Sequence, residues 1–228
     1  MASETVENYL KAVLTLSQES ESGDATITRI AAVVGVTPST ATTMIKRLAA
    51  AGLARYEKYG AVRLSPKGRR TALDVLRRHR IVELFLVQVV GLDWSEVHAE
   101  AERLEHAISP RLLDRLDEML GRPRADPHGD PIPDADGRST TAPPPPLTRF
   151  RPGEHAVVAR VLDQGAEFLQ FLARSGLRPG TAVVVASIDP LGGSISIHPA
   201  GASPVTLSLA VADRILARPT ERSTGHTS

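Results

Sequence analysis

Nine of the thirty residues between positions 123 and 152 are proline, four of them consecutive at Pro143–Pro146. Proline fixes φ near −65° and lacks the amide hydrogen that helices and sheet ladders use, so this stretch forms the interior of neither. It predicts a stiff, extended linker over residues 123–152 and divides the chain into segments of different patterning. Upstream, apolar residues recur at helical intervals. Downstream, they fall in short runs typical of strands. The expected fold is mainly α with a small β part.

In the upstream part, Val6, Leu10, Val13, Leu14 and Leu16 predict a first helix at about residues 4–20. Thr28 is expected to cap a short helix that ends at Gly35, and Thr37-Pro38-Ser39 opens the next, which stops at Ala51-Gly52. Two short helices joined by a Gly-containing turn are a helix-turn-helix. Residues 53–57 and 61–65 then read as two extended pieces around Lys58-Tyr59-Gly60, the hairpin of a winged helix. One long helical pattern follows from Pro66 to Leu92. Ser95 is expected to cap a further helix with Val97, Ala101, Leu104 and Ile108 on its core stripe, and a last one runs from Ser109-Pro110 to Leu120-Gly121. Beyond the linker, residues 156–162, 181–188, 194–198 and 205–209 read as strands and 167–175 as a helix, a small barrel. The expected domains are residues 1–72, 73–122, 153–218 and a disordered tail at 219–228.

The chain's net charge of +1 hides a segregation. Between residues 25 and 72, nine Lys and Arg stand against Glu57 alone, a net +8, so the rest of the chain carries −7. Such a split suggests a basic module joined to an acidic one. With no cysteine there is no disulfide framework, iron–sulfur cluster or thiol nucleophile, which suits a reducing cytoplasm. The acidic N-terminus is unlike a signal peptide, and no run approaches the roughly 20 apolar residues of a membrane span. The expected location is cytoplasmic.

Within the acidic part, His98, Glu102, Glu105 and His106 share one stripe about 100° wide on a helical wheel, apart from the core stripe. One helix earlier, His79 and Glu83 repeat the i, i+4 pairing. Imidazoles and carboxylates grouped in this way suit a divalent first-row cation. The alternative is a solvated acidic face with histidines scattered over it.

The blocks at residues 6–11, 78–83, 91–106 and 126–133 resemble the diphtheria-toxin-repressor family, the metal-dependent DtxR, IdeR and MntR transcriptional repressors. The resemblance covers the whole chain. It implies a winged helix-turn-helix DNA-binding domain, a helical dimerisation and metal domain, the proline-rich linker, and a C-terminal SH3-like (FeoA-like) barrel. It also implies two metal sites per subunit, one of Asn8, Glu102, Glu105 and His106, the other of His79, Glu83 and His98 completed from the SH3-like domain. Asp163 is the expected completing residue, with Glu167 and Gln164 as rivals. Iron-responsive members carry sulfur ligands where Asn8 and Glu102 stand; hard oxygen donors suit Mn²⁺ better than Fe²⁺. Manganese-responsive members usually have Asp at the place of Asn8, so this chain has one charge fewer there.

By the same resemblance the partners are a homodimer and a palindromic operator in double-stranded DNA, with no membrane. Thr37, Ser39, Thr40 and Thr43 would lie at the major groove, and Lys46, Arg47, Lys58 and Arg63 at phosphate. Metal binding would tie the first helix to residues about a hundred positions later and neutralise clustered carboxylates. The expected function is a divalent-metal-activated repressor, most consistent with manganese, with iron as the alternative. A metal-independent winged-helix regulator and a dinuclear metal hydrolase are the remaining rivals. The chain offers the hydrolase no phosphate loop and no recognisable nucleophile–base pair.

Overall fold

The computed structural model describes residues 3–20, 22–56, 61–134 and 142–220. The chain divides into two compact units. One comprises residues 1–82, 102–115 and 132–139, the other residues 83–101, 116–131 and 140–228.

The first unit begins with α1 Glu4–Glu19, whose Leu10, Val13, Leu14 and Leu16 are buried at the helical spacing. Helices α2 Ile27–Val34 and α3 Pro38–Ala50 form the helix-turn-helix. Thr26, not Thr28, caps α2: it is the last extended residue, and its hydroxyl accepts from the Arg29 amide, while Thr28 already lies in the first turn. Gly35, at φ 72°, closes α2 in the left-handed region. Thr37 caps α3 through the Thr40 amide, with Pro38 at the first helical position. Strands β1 Ala54–Tyr56 and β2 Val62–Leu64 pair antiparallel, and Ala25 bridges Val62 from the other side. The wing tip, residues 57–60, lies outside the described residues. Helix α4 Pro66–Phe85 starts hard against β1, since a Cβ on Gly68 would stand 1.9 Å from the Leu53 carbonyl oxygen. Ile30, Ile45, Leu48, Val62 and Leu73 join the α1 residues in one core.

In the second unit, the end of α4 passes into a π-helical turn at Leu86–Val90 that stops at Gly91. Helices α5 Val97–Leu104 and α6 Pro110–Met119 each contribute residues to both units. The expected helix through Ile108 ends at Leu104 instead, in a turn closed by the Ala107 amide on the Leu104 carbonyl. Leu104 is exposed, unlike buried Val97 and Ala101, so the apolar stripe runs out there.

The barrel is a five-stranded antiparallel sheet in the order β6-β5-β4-β3-β7. Its strands are β3 His155–Val161, β4 Ala182–Asp189, β5 Ser194–Pro199, β6 Val205–Ser208 and β7 Ile215–Pro219. Helix α7 Ala166–Arg174 follows β3, and the short α8 Leu209–Ala212 precedes β7. Strand β7 was not foreseen. It pairs with β3 along its length, so Pro219 belongs to the sheet and not to a tail; residues 221–228 lie outside the described residues.

The proline run is no simple spacer at its end. Ala217 donates its amide to the Pro145 carbonyl at 3.0 Å, Pro146 bridges Leu216, and Leu147 is fully buried. Trp94 packs in the barrel core with Leu147, Leu169 and Val183. Its ring stacks on His128 at 5.6 Å and lies beneath the Arg178 guanidinium.

Candidate metal centres and nucleic-acid interface

The first centre forms where one face of α1 meets the turn after α5. His106 lies 2.7 Å through Nδ1 from Glu7 Oε2 and 2.8 Å through Nε2 from Asn8 Oδ1. Glu105 Oε1 is a further 3.4 Å from the same Nε2. Glu7 accepts the Nδ1 proton, which leaves Nε2 facing the Asn8 amide and a Glu105 oxygen, an arrangement with room for a cation's ligand set. Glu7 itself is buried and held by Arg78, which also donates to the Glu105 backbone carbonyl. A carboxylate behind an imidazole is the usual outer support of a metal-binding histidine.

Glu105 is fully buried. Burial alone would raise its pKa, but the His79 ring at 2.5 Å and the Lys11 ammonium outweigh it and hold the carboxyl below its ordinary value. Lys11 Nζ lies 2.7 and 2.9 Å from the two Glu105 oxygens and 3.0 Å from Glu102 Oε1. Asn8, Glu102, Glu105 and His106 are thus brought together, and His79 joins them through Nδ1. The donors are oxygens and nitrogens only, and the set fits a hard or borderline divalent cation.

The second centre lies at the end of α4. Glu83 is buried and meets His98 Nδ1 at 3.1 Å. Ligand atoms of Glu83, Asp126 and His128 lie within 4.8 Å of one another, all three residues buried. His128 Nε2 stands 2.9 Å from the Trp94 carbonyl, which only accepts, so Nε2 carries the hydrogen and Nδ1 the lone pair. That Nδ1 faces Glu83 Oε2 at 3.9 Å and has no hydrogen-bond partner among the described residues. Asp126 is fixed in turn, one oxygen accepting the amides of His128 and Asp130. The loop docks on β3 through Val161 N–H to the His128 carbonyl, and Gly129 leaves no room for a Cβ beside the Ala159 carbonyl.

Two expectations need correction. His98 does not share a stripe with Glu102, Glu105 and His106, because α5 ends at Leu104 and the last two lie beyond it. Asp163 does not join the second centre: it binds Arg214 at 2.6 Å and the Gly165 amide at the start of α7. Its rivals are placed no better. Gln164 donates to Asp130, and Glu167 is exposed in the first turn of α7. Asp126 and His128 stand beside Glu83 instead, and sequence reasoning missed them as candidate ligands. It also missed Glu7 and Lys11, although both lie within a turn of Asn8 on α1.

At the other end of the first unit, Thr37, Ser39, Thr40 and Thr43 are exposed at the start of α3. The Thr37 hydroxyl links those of Ser39 at 3.0 Å and Thr40 at 2.9 Å, while Thr43 donates to the Ser39 carbonyl. Lys46 and Arg47 are exposed further along. Arg63 forms an ion pair with Asp24, whose carboxyl it holds below the ordinary value. Lys58 lies outside the described residues.

Residues 1–62 match the N-terminal DNA-binding domain of iron-dependent repressors, and residues 65–134 their metal-binding and dimerisation domain. Residues 146–219 match the FeoA domain. The chain is 34% identical over 216 residues to the iron-dependent repressor IdeR of Mycobacterium leprae, covering 90% of this chain and 92% of that protein. Its fold resembles a manganese-dependent transcriptional repressor solved in complex with manganese, with a TM-score of 0.84 and 39% identity over 94% of this chain and all of the other. It also resembles the IdeR of T. acidophilum, with a TM-score of 0.74 and 28% identity over 96% of this chain and all of the other. These relatives are DNA-binding regulators, which removes the hydrolase. The chain belongs to the DtxR/IdeR family of iron- and manganese-dependent transcriptional repressors.

Proposed function

We propose that this repressor is activated by Mn²⁺ at two sites per subunit. The observation that carries the reading is the first centre, where Asn8, Glu105 and His106 converge with Glu102 nearby and no sulfur is present. Asn8 would hold the cation from α1, Glu102, Glu105 and His106 from the turn after α5, with Glu7 orienting the imidazole. The bound cation supplies the positive charge that two neighbouring carboxylates require. Because α1 packs in the same core as α2 and α3, fixing α1 fixes the presentation of α3 to the major groove.

Glu83, His98, Asp126 and His128 would hold the second cation. They join the end of α4 to a loop docked on the barrel, a structural crosslink. His79, which the resemblance assigns to the second site with Glu83 and His98, also supports Glu105 through its Nδ1. Exposed Val89 and Val90 after α4, and Leu112 and Met119 on α6, supply apolar surface for a two-fold dimer on a palindromic operator. No helix among the described residues is long and apolar enough to cross a membrane, and a cytoplasmic location fits the absence of cysteine. Thr37, Ser39, Thr40 and Thr43 would meet the bases, with Lys46, Arg47, Lys58 and Arg63 on phosphate.

Iron is the second reading, favoured by the 34% identity to an iron-dependent repressor. Retention of operator DNA measured with chelator, then with added Mn²⁺, Fe²⁺ or Zn²⁺, separates the two. DNA binding is expected to vanish in chelator and return best with Mn²⁺. Normal DNA binding by metal-free Glu102→Ala protein would sink the mechanism.

A further inference from the structure

Lys11 is the one side chain of the first centre that no metal site has use for. Its ammonium touches both oxygens of Glu105 at 2.7 and 2.9 Å and Glu102 at 3.0 Å, the two carboxylates of the activating site. The side chain is only 12% exposed, so the contact is built into the packing of α1 against the turn after α5 and is not a surface encounter. Asn8 lies one helical turn earlier on α1 and faces His106 of the same turn. Resting on the reading of this centre as the activating metal site, we propose that the Lys11 ammonium is a built-in competitor for the cation and sets the metal concentration at which the protein switches.

The physical argument is charge and shared ligands. Asn8 is neutral and Glu7 is held by Arg78, so the negative charge that an entering cation would meet is that of Glu102 and Glu105, the two carboxylates the Lys11 ammonium already touches. A divalent ion bound to the same oxygens would stand within a few ångströms of Nζ, where two cations repel strongly in a partly buried site. Lys11 therefore has to leave as metal enters, and its four-carbon stem lets the ammonium swing to water. Every metal-binding event then carries the cost of breaking the Lys11 contacts, which raises the threshold. The metal-free protein gains in return, because the two carboxylates are never left facing each other without a cation.

The test compares Mn²⁺ affinity of the full-length chain with that of Lys11→Gln and Lys11→Met, by calorimetry, with metal-free melting recorded for each. Both variants should bind Mn²⁺ more tightly, on the order of 10- to 100-fold, the range that outer residues command over metal sites. Both should also melt earlier when metal-free. Lys11→Arg, which keeps the charge, should stay near the parent affinity. Placed in a Glu102→Ala background, Lys11→Gln should gain less, since one of the two shared carboxylates is gone. Unchanged or weaker Mn²⁺ binding by a folded Lys11→Gln or Lys11→Met protein overturns the proposal while leaving the metal site standing. Parent-like affinity in Glu102→Ala alone overturns the metal-site reading itself, and the proposal with it.

Discussion

His128 has its tautomer set by the Trp94 carbonyl at 2.9 Å, which takes the Nε2 hydrogen and turns the Nδ1 lone pair toward Glu83. The ring is fully buried and stacked on Trp94, so a phenyl ring fills the same space. His128→Phe then removes the two nitrogens with little change in packing. Orphaning the Trp94 carbonyl should cost the metal-free protein about 1–3 kcal/mol in denaturant unfolding. If Nδ1 is a ligand, bound Mn²⁺ per subunit should fall by one in equilibrium dialysis, and the rise in melting temperature on adding Mn²⁺ should shrink. A variant that keeps the parent stoichiometry would make His128 a purely structural residue. Glu105 differs, because His79 and Lys11 already surround it.

At the level of elements, α3 and the wing would share the task of meeting phosphate in the proposed complex, and their cations are not equivalent. Lys46 stands exposed on α3, while Arg63 on β2 is paired with Asp24. A phosphate contact from Arg63 has to displace that carboxylate. Lys46→Ala should therefore flatten the plot of log affinity against log salt by about 0.9, the value of one phosphate contact on B-DNA. Arg63→Ala should flatten it less, and Asp24→Asn should strengthen operator binding. A salt titration by fluorescence anisotropy reads all three, and equal losses for the two cations would refute the ranking. The helix-turn-helix was legible because caps are local: Gly35, Thr37 and Pro38 act on their own neighbours. Where α5 ends was not legible, since a wheel drawn through His106 assumes that the helix continues past Leu104. Asp126 and His128 were hidden for a related reason. They sit in a loop without periodicity, and only its docking on β3 carries them to Glu83. Asp163 was placed by analogy along the chain, and its own turn and Arg214 had already claimed it.

For the chain as a whole, the proline segment that separates helical from β patterning also covers one edge of the C-terminal sheet. In the order β6-β5-β4-β3-β7 the sheet is open, and β7 is one of its two edges. An open edge presents unpaired amides and carbonyls to any other strand, a liability that proteins blunt with proline or a covering segment. Here Pro145 accepts the Ala217 amide, and a proline has no amide with which to pass the ladder on. The run satisfies β7 and stops the sheet from growing. Its stiffness matters too, because a chain already extended loses less entropy when laid along a strand. Replacing Pro143–Pro146 by Gly-Ser-Gly-Ser keeps the length and the carbonyls but removes both properties. The C-terminal unit should then lose about 2 kcal/mol of stability in denaturant unfolding. Light scattering should also show association that grows with protein concentration. Operator binding with Mn²⁺ should stay near the parent level, because α3 and the first centre belong to the other compact unit. If the replacement leaves unfolding and scattering alike unchanged, the prolines serve only as a spacer, and the Pro145–Ala217 contact contributes nothing that a flexible chain would not.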